Sequence, residues 1–172
     1  MDVDLLGHVM EIAPNRRGAD LVIRRYQPED ADAVWVLHNR ALREAGGYMG
    51  KGEWDDDLKH IEDVYLATGG EFLVGTMAEQ VVAMGALKPL ADGAVLVKRM
   101  RVLPEFQRRG YGQKILSLLE AIAQERGFRT IKLDTTPVQV AAVALYTKNG
   151  YQEVSRSWKN GFEQIYYEKT IG

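Results

Sequence analysis

Apolar and polar residues alternate with two different periods along the 172-residue chain. In four segments apolar residues recur at every third and fourth position, and this spacing predicts amphipathic helices. Each segment is followed by a glycine or by Asn-Gly, which is typical of helix C-termini. The apolar faces of the predicted helices are Val34, Leu37, His38 and Ala41; Trp54, Leu58, Ile61 and Tyr65; Ile115, Leu118, Leu119 and Ile122; and a fourth stretch over about 139–148.

Shorter apolar runs bounded by turn residues predict strands. Residues 78–80 and the dipeptide Asn160-Gly161 each join two such runs, and Asn-Gly is a strong hairpin signal. The strand, helix and strand over 94–135 predict two parallel neighbours with a right-handed crossover. The predicted strands cover residues 21–23, 71–77, 81–88, 94–102, 130–135, 151–158 and 162–169.

The apolar residues of the strand 94–102 change sides part-way along it. Val95 and Val97 share one parity, whereas Met100 and Val102 share the other. Because side chains alternate between the two faces of a sheet, this change predicts one extra residue near Arg99, which is a β-bulge.

The order of these elements predicts one α+β domain, with mixed α/β layers, over residues 21–172. Residues 1–20 precede it as an extension that is either flexible or adds a strand.

The formal charge is −2, from 22 Lys and Arg against 24 Asp and Glu, which argues against a nucleic-acid-binding protein. Cysteine is absent, so disulfides, thiolate metal sites and an acyl-cysteine intermediate are excluded.

Several classes of partner are not expected from the sequence. The chain starts with acidic residues, and no apolar run approaches the ~18 residues of a membrane span. Together with the absence of cysteine, this predicts a cytoplasmic protein without a membrane partner. His8, His38 and His60 lack the spacing of metal ligands, so no metal site is predicted. Tyr166 and Tyr167 on the last strand point to opposite faces, which leaves a homodimer through this edge open.

The segment 102–113 connects a predicted strand directly to the strongest predicted helix. A helix N-terminus favours an anion, and Gly110 and Gly112 let the backbone approach it closely. Arg108 and Arg109 add positive charge. A nucleotide triphosphatase loop needs Lys and then Ser or Thr after its final Gly, and a dinucleotide loop needs a small residue where Ile115 stands, so neither motif fits.

The motif Gln107-x-x-Gly110-x-Gly112, after a strand that ends with residues 99–104, resembles the pyrophosphate loop of the GNAT superfamily of acetyl-CoA-dependent N-acetyltransferases. The segment 142–151 resembles the family's later helix and the aromatic residue that begins its next strand. The resemblance implies a central mixed, mostly antiparallel sheet with helices on both faces. It also implies two splayed parallel strands, 94–102 and 130–135, that bind acetyl-CoA in the gap between them.

The resemblance further implies roles for individual residues. Backbone groups of Met100, Arg101 and Val102 would hold the pantetheine arm and the thioester oxygen, and the Val102 N–H would stabilise the oxyanion. Tyr146 matches the cofactor-contacting tyrosine that protonates the leaving thiolate, and Gln139 stands where many members have a cofactor-binding Asn. The other implied cofactor-binding residues are those of the pyrophosphate loop: Gln107, Arg108, Arg109, Gly110, Tyr111, Gly112 and Gln113.

The general base is left unassigned by the sequence. Many family members carry a Glu four places before the Met of this strand, and Leu96 stands there in this chain. Glu44, Glu71 and Asp134 are the candidate carboxylates elsewhere.

The sequence indicates the residues that would bind the acetyl acceptor less clearly. Glu53 and the run 55–57 are acidic, and they would either attract a cationic acceptor or cap the second predicted helix. Tyr48, Met49 and Trp54 are candidate pocket residues. The implied function is transfer of an acetyl group from acetyl-CoA to a primary amine of a small molecule, such as an amino acid, in a ternary complex. A protein or peptide amine and a non-catalytic acyl-CoA-binding domain are the alternatives.

Overall fold

The computed structural model describes residues 20–48, 50 and 52–172, so Met49 and the predicted N-terminal extension with His8, apart from Asp20, lie outside the described residues. The strands are β1 (Val22–Arg25), β2 (Glu71–Met77), β3 (Gln80–Pro89), β4 (Val95–Val102), β5 (Thr130–Thr135), β6 (Gln152–Lys159) and β7 (Phe162–Thr170). They form one seven-stranded sheet in the order β1-β2-β3-β4-β5-β7-β6. Each neighbouring pair is antiparallel except β4 and β5, which are parallel. The predicted mixed, mostly antiparallel sheet is confirmed.

Helices cover both faces of this sheet. They are α1 (Ala31–Glu44), α2 (Tyr111–Glu125) and α3 (Val140–Lys148). Met100 and Ile115 of α2 lie on the same face of the sheet, because both side chains approach Gly85 on β3. A Cβ atom at Gly85 would lie 2.5 Å from Met100 Sδ and 2.6 Å from Ile115 Cγ2. Arg101 follows Met100 and points to the opposite face, where its charge acts on His38 of α1. None of the helices in the described ranges is both long and apolar enough to cross a membrane.

The first predicted helix is confirmed in detail. Helix α1 buries the four residues that its apolar period selects, and Gly46 follows its end with a φ of 73°. The buried residues are Val34, Leu37, His38 and Ala41.

The second predicted helix is wrong in its form. A 3₁₀ segment covers Glu53–Lys59 and a π-helical turn covers Glu62–Leu66, with a break at His60. Residues two positions apart do not face each other on an α-helix. The irregular segment allows both Asp55 and Asp57 to reach inward to one cation, and these buried contacts prevail over local helix preference.

The bulge predicted near Arg99 is confirmed. Arg101 lies opposite Met84, whereas Lys98 lies opposite Ala86, so β4 has one more residue than β3 between these two pairs. The φ angle of Arg99 is 60°, in the left-handed region that non-glycine residues adopt at a cost.

Candidate active site

Strands β4 and β5 pair over only two residues of each strand and then separate. The paired segments are Val95–Leu96 and Ile131–Lys132. The N–H of Leu103 donates to the carbonyl oxygen of Val82 on β3 at 2.8 Å. Because hydrogen-bonding directions alternate along an antiparallel strand, the N–H of Val102 points away from β3 and into the gap. A gap edged by such backbone groups can take an extended amide-containing chain as an additional strand.

The loop after β4 turns tightly into α2. Arg108 and Gly110 adopt left-handed φ angles of 61° and 79°. The side chain of Gln107 donates from Nε2 to the carbonyl oxygen of Val102 at 3.1 Å, which ties the loop to the strand. A Cβ atom at Gly112 would lie 3.8 Å from Val102 Cγ2, so the first turn of α2 lies beside the end of β4.

The first turn of α2 offers donors to an anion. The first hydrogen bond within this helix runs from the Lys114 N–H to the Gly110 oxygen at 3.1 Å, and the N–H groups of residues 111–113 therefore have no helical partner. Arg108 and Arg109 are exposed beside them. The predicted pyrophosphate loop thus brings backbone donors and positive charge together at one helix N-terminus.

Two side chains of this loop have other partners. The amide of Gln113 exchanges two hydrogen bonds of 2.8 Å with the amide of Asn149, which joins the start of α2 to the end of α3. The hydroxyl of Tyr111 lies 3.4 Å from Met77 Sδ. Both side chains are therefore engaged within the protein, and the role of Asn149 was missed in the sequence.

Tyr146 lies on α3 and is buried, with 5% of its surface exposed. Its ring contacts the ring of Tyr151 edge-on at 5.7 Å. Burial raises the pKa of Tyr146 to about 12, with the positive charge of Arg101 opposing the shift and the negative charge of Asp134 adding to it. Since Arg101 is on β4 and Asp134 is on β5, the Tyr146 hydroxyl lies near both strands that border the gap. It is protonated at neutral pH and can act as a proton donor.

A cavity of about 350 Å³ adjoins Tyr146. Its walls come from the turn after α1, the 3₁₀ segment, both splayed strands and the β6–β7 hairpin. The predicted pocket residues Tyr48 and Trp54 line it, and so does Gln139, which lies at the start of α3. The structure therefore brings Tyr48 and Trp54 to the same place as the predicted proton donor, whereas Glu53, Asp56 and Asp57 do not line the cavity.

Residues 32–151 match the model of the acetyltransferase (GNAT) family. The chain belongs to the GNAT family. It is 28% identical over 108 residues to human N-acetyltransferase 8, and this match covers 59% of the chain and 48% of the human protein. The chain therefore spans about half the length of this relative.

The fold of this GNAT protein is similar to solved structures of the same family. An acetyltransferase of the GNAT family from Staphylococcus aureus Mu50 superposes with a TM-score of 0.82 at 21% identity, covering 89% of this chain and 100% of that one. The PaiA N-acetyltransferase from Thermoplasma acidophilum, in complex with coenzyme A, gives a TM-score of 0.74 at 15% identity, over 88% and 99% of the two chains. These likenesses concern the fold.

The structure separates the candidate bases of this GNAT protein. Leu96, where many members carry a Glu, lines the cavity with an apolar side chain. Among the three candidate carboxylates of the described chain, only Asp134 lines the cavity. Glu71 is fully buried and binds Arg25 and Arg126 at 2.8 and 2.9 Å, which makes it a structural residue. Glu44 lies at the end of α1, away from the lining.

A buried polar cluster beside the bulge was missed in the sequence. Arg99 donates from Nε to Asp57 at 2.9 Å and from Nη1 to Asp55 at 3.0 Å. Asp57 also accepts from the Tyr65 hydroxyl, and His38 Nε2 lies 3.0 Å from Asp55. Two carboxylates of the acidic run therefore neutralise Arg99 and do not cap a helix. The available signal was Arg99 itself, a cation at a parity change inside a strand, which requires nearby carboxylates if it is buried.

The charges of this cluster are fixed by burial and by each other. Burial lowers the pKa of His38 to about 4, and the nearby charges of Arg101 and Arg99 act in the same direction, so its ring is neutral at pH 7. Burial would raise the pKa of Asp57, but the hydrogen bonds and charge of Arg99 outweigh it and hold that pKa below its usual value. The cluster thus contains an ionised Arg99 beside an ionised Asp57 and a neutral His38.

Proposed function

We propose that this GNAT protein transfers the acetyl group of acetyl-CoA to the primary amine of a small molecule, directly and within a ternary complex. The observation that carries the proposal is the position of Tyr146. Its buried hydroxyl lies near both splayed strands and lines the adjoining cavity. A proton donor at this junction can serve a reaction between a ligand in the gap and a ligand in the cavity.

The residues around the gap fit an acyl-CoA. Its pyrophosphate would be held by the free N–H groups of residues 111–113 with Arg108 and Arg109, and its pantetheine arm would lie along the unpaired edge of β4. Gly110 supports this fit, because its φ of 79° and the open space around it let the backbone approach a ligand. The complex of the Thermoplasma neighbour with coenzyme A supports the same cofactor.

Acetyl-CoA, when bound, supplies an acetyl thioester whose sulfur leaves as a thiol. The Tyr146 hydroxyl holds a proton that it can donate to this leaving sulfur. The Val102 N–H points into the gap and can donate to a carbonyl oxygen that gains negative charge. Both groups are fixed by packing or by backbone pairing, so little reorganisation is needed during the reaction.

The attacking amine must lose its proton. Asp134 is exposed and lines the cavity, so its carboxylate can attract an ammonium group and accept a proton from it. A high-pKa amine with no stronger base beside it would give activity that rises with pH until the amine itself has titrated.

The dimensions of the cavity favour a small acceptor over a protein. A volume of about 350 Å³, with walls on several sides, suits a molecule of amino-acid size. A peptide in extended conformation requires an open groove.

The test compares two tyrosine variants in an assay of released CoA with a library of small amines and short peptides. Tyr146→Phe should lower kcat by about 10²- to 10⁴-fold while the calorimetric Kd for acetyl-CoA changes little. Tyr151→Phe is the matched control, because its hydroxyl binds Glu120 at 2.9 Å and lies outside the proposed chemistry. Binding of acetyl-CoA without turnover of any acceptor would support a non-catalytic domain, and turnover of peptides alone would support a protein acceptor.

A further inference from the structure

The cavity beside Tyr146 contains more cations than carboxylates. Asp55 and Arg99 line it but are paired with each other at 3.0 Å. When this pair is set aside, the remaining charged side chains of the lining are Lys98, Arg101, Lys159 and Asp134. The lining therefore has an excess of positive charge.

The pairing of these three cations differs from that of several others in the chain. Within the described ranges, no salt bridge involves any of the three. Several partly buried cations elsewhere in the chain do have carboxylate partners. Arg24, Arg126 and Lys169 have side chains that are 33%, 25% and 25% exposed, and each has a carboxylate oxygen within 2.8 to 3.0 Å. Lys98 and Arg101, which are both partly buried, therefore bear a desolvation cost that a bound anion would offset, whereas Lys159 is exposed.

Arg101 has the clearest unused hydrogen-bonding capacity. Its Nη1 donates to the carbonyl oxygen of Met100 at 2.7 Å, while its Nε is buried without a partner among the described residues. The hydroxyl of Thr135, on the facing strand, is also buried without a partner there. Both residues line the cavity. A guanidinium fork with free donors matches a carboxylate group.

Resting on the proposed function, we propose that the acceptor is a small amine that also carries a carboxylate, and that Arg101 binds this carboxylate. The ammonium group of such a zwitterion lies toward Asp134 and Tyr146, and its carboxylate lies toward the guanidinium and the charge of Lys98. Asp134, Arg101 and Tyr146 all line the cavity, so both proposed subsites adjoin the reacting centre. Arg101 is the residue that determines selectivity.

The first test uses acceptors that differ only in the carboxylate, such as leucine, leucinamide and isoamylamine, with a library of analogous triplets. We expect kcat/KM for the acid to exceed that for the amide and the amine by about 10- to 100-fold. Arg101→Met should reduce this ratio toward one with little change in the KM for acetyl-CoA, and Arg101→Lys should restore part of it. Arg129→Met is the matched control, because it removes the same charge from an exposed position outside the cavity and should leave the ratio unchanged.

A second measurement tests the subsite without turnover. Titration calorimetry compares N-acetyl-leucine with N-acetyl-leucinamide in the presence of CoA, for the wild-type protein and for Arg101→Met. Tighter binding of the acid, lost in the variant, supports the subsite. Equal binding of acid and amide, no binding of either, or turnover of amines and amides as fast as acids would overturn it while leaving the acetyltransferase proposal intact. No binding of acetyl-CoA by the folded protein would instead overturn the proposed function.

Discussion

Replacing Arg99 by Met should remove a large part of the stability of this protein. The substitution keeps the apolar stem of the side chain and removes the charge between Asp55 and Asp57. Those two carboxylates have side chains that are only 8% and 13% exposed, so they would remain buried without a cation. Breaking a buried ion pair in this way destabilises a protein by about 3–5 kcal/mol, against a typical total of about 5–15 kcal/mol.

Arg40→Met provides a control at an exposed salt bridge. Arg40 donates to both oxygens of Glu105 at 2.9 Å, and both side chains are 46% exposed. An exposed pair of this kind contributes about 0.2–1 kcal/mol. The two Arg→Met variants therefore compare a buried cluster, in which Arg99 binds two carboxylates, with a single exposed pair.

Urea unfolding at pH 7, followed by circular dichroism, measures both changes in the free energy of unfolding. Trp54, whose carbonyl oxygen accepts from Arg99 at 2.7 Å, offers a fluorescence probe near the cluster. If Arg99→Met does not fold, Arg99→Lys, which retains the charge, should fold with a smaller loss. A loss for Arg99→Met no greater than that for Arg40→Met would refute the argument that the buried cluster stabilises the fold.

Three further predictions concern residues around the site. Because the pKa of His38 is lowered to about 4, the unfolded chain binds more protons below about pH 6.5, so urea stability should fall as pH decreases through this window, and His38→Gln should flatten the profile. Gly85→Ala places a Cβ 2.5 Å from Met100 Sδ, which should cost about 1–3 kcal/mol, and an unchanged thermal midpoint would contradict this steric argument. Because the pKa of Tyr146 is raised to about 12, the profile of kcat against pH should show no falling limb near the ordinary tyrosine pKa of about 10.

Local sequence patterns were sufficient for most of the fold. The apolar period of α1 selected its four buried residues, and Asn160-Gly161 adopts the positive φ angles of 54° and 80° that a two-residue hairpin turn needs. Even the bulge at Arg99 was visible as a parity change, because alternation in a strand is a strictly local property. The loop motif likewise placed the start of α2.

Contacts between residues distant in the chain could not be predicted in this way. The segment 53–66 has a helical period. Arg99 lies 42 residues after Asp57 and 44 after Asp55, and its buried hydrogen bonds to these two carboxylates are incompatible with a regular α-helix there. The exchange of hydrogen bonds between Gln113 and Asn149 also depends on how two helices meet. The residues around Gln113 do not indicate that Asn149 is its partner, and those around Asn149 do not indicate Gln113. Such contacts can be identified only from the structure.

The extra residue in β4 determines which side chains of the strand point to each face of the sheet. If β4 continued regularly from Lys98, which lines the cavity, Met100 would share that face and Arg101 would point toward α2. The bulge exchanges them, so that Met100 lies beside Ile115 of α2 and Arg101 lies on the opposite face, where its charge acts on His38 of α1. The strand can therefore complete the apolar core on one face and offer a cation on the other. Arg99 forms this bulge at a φ of 60° and is fixed by buried carboxylates, so the stability of the cluster and the face on which Arg101 lies depend on the same residue.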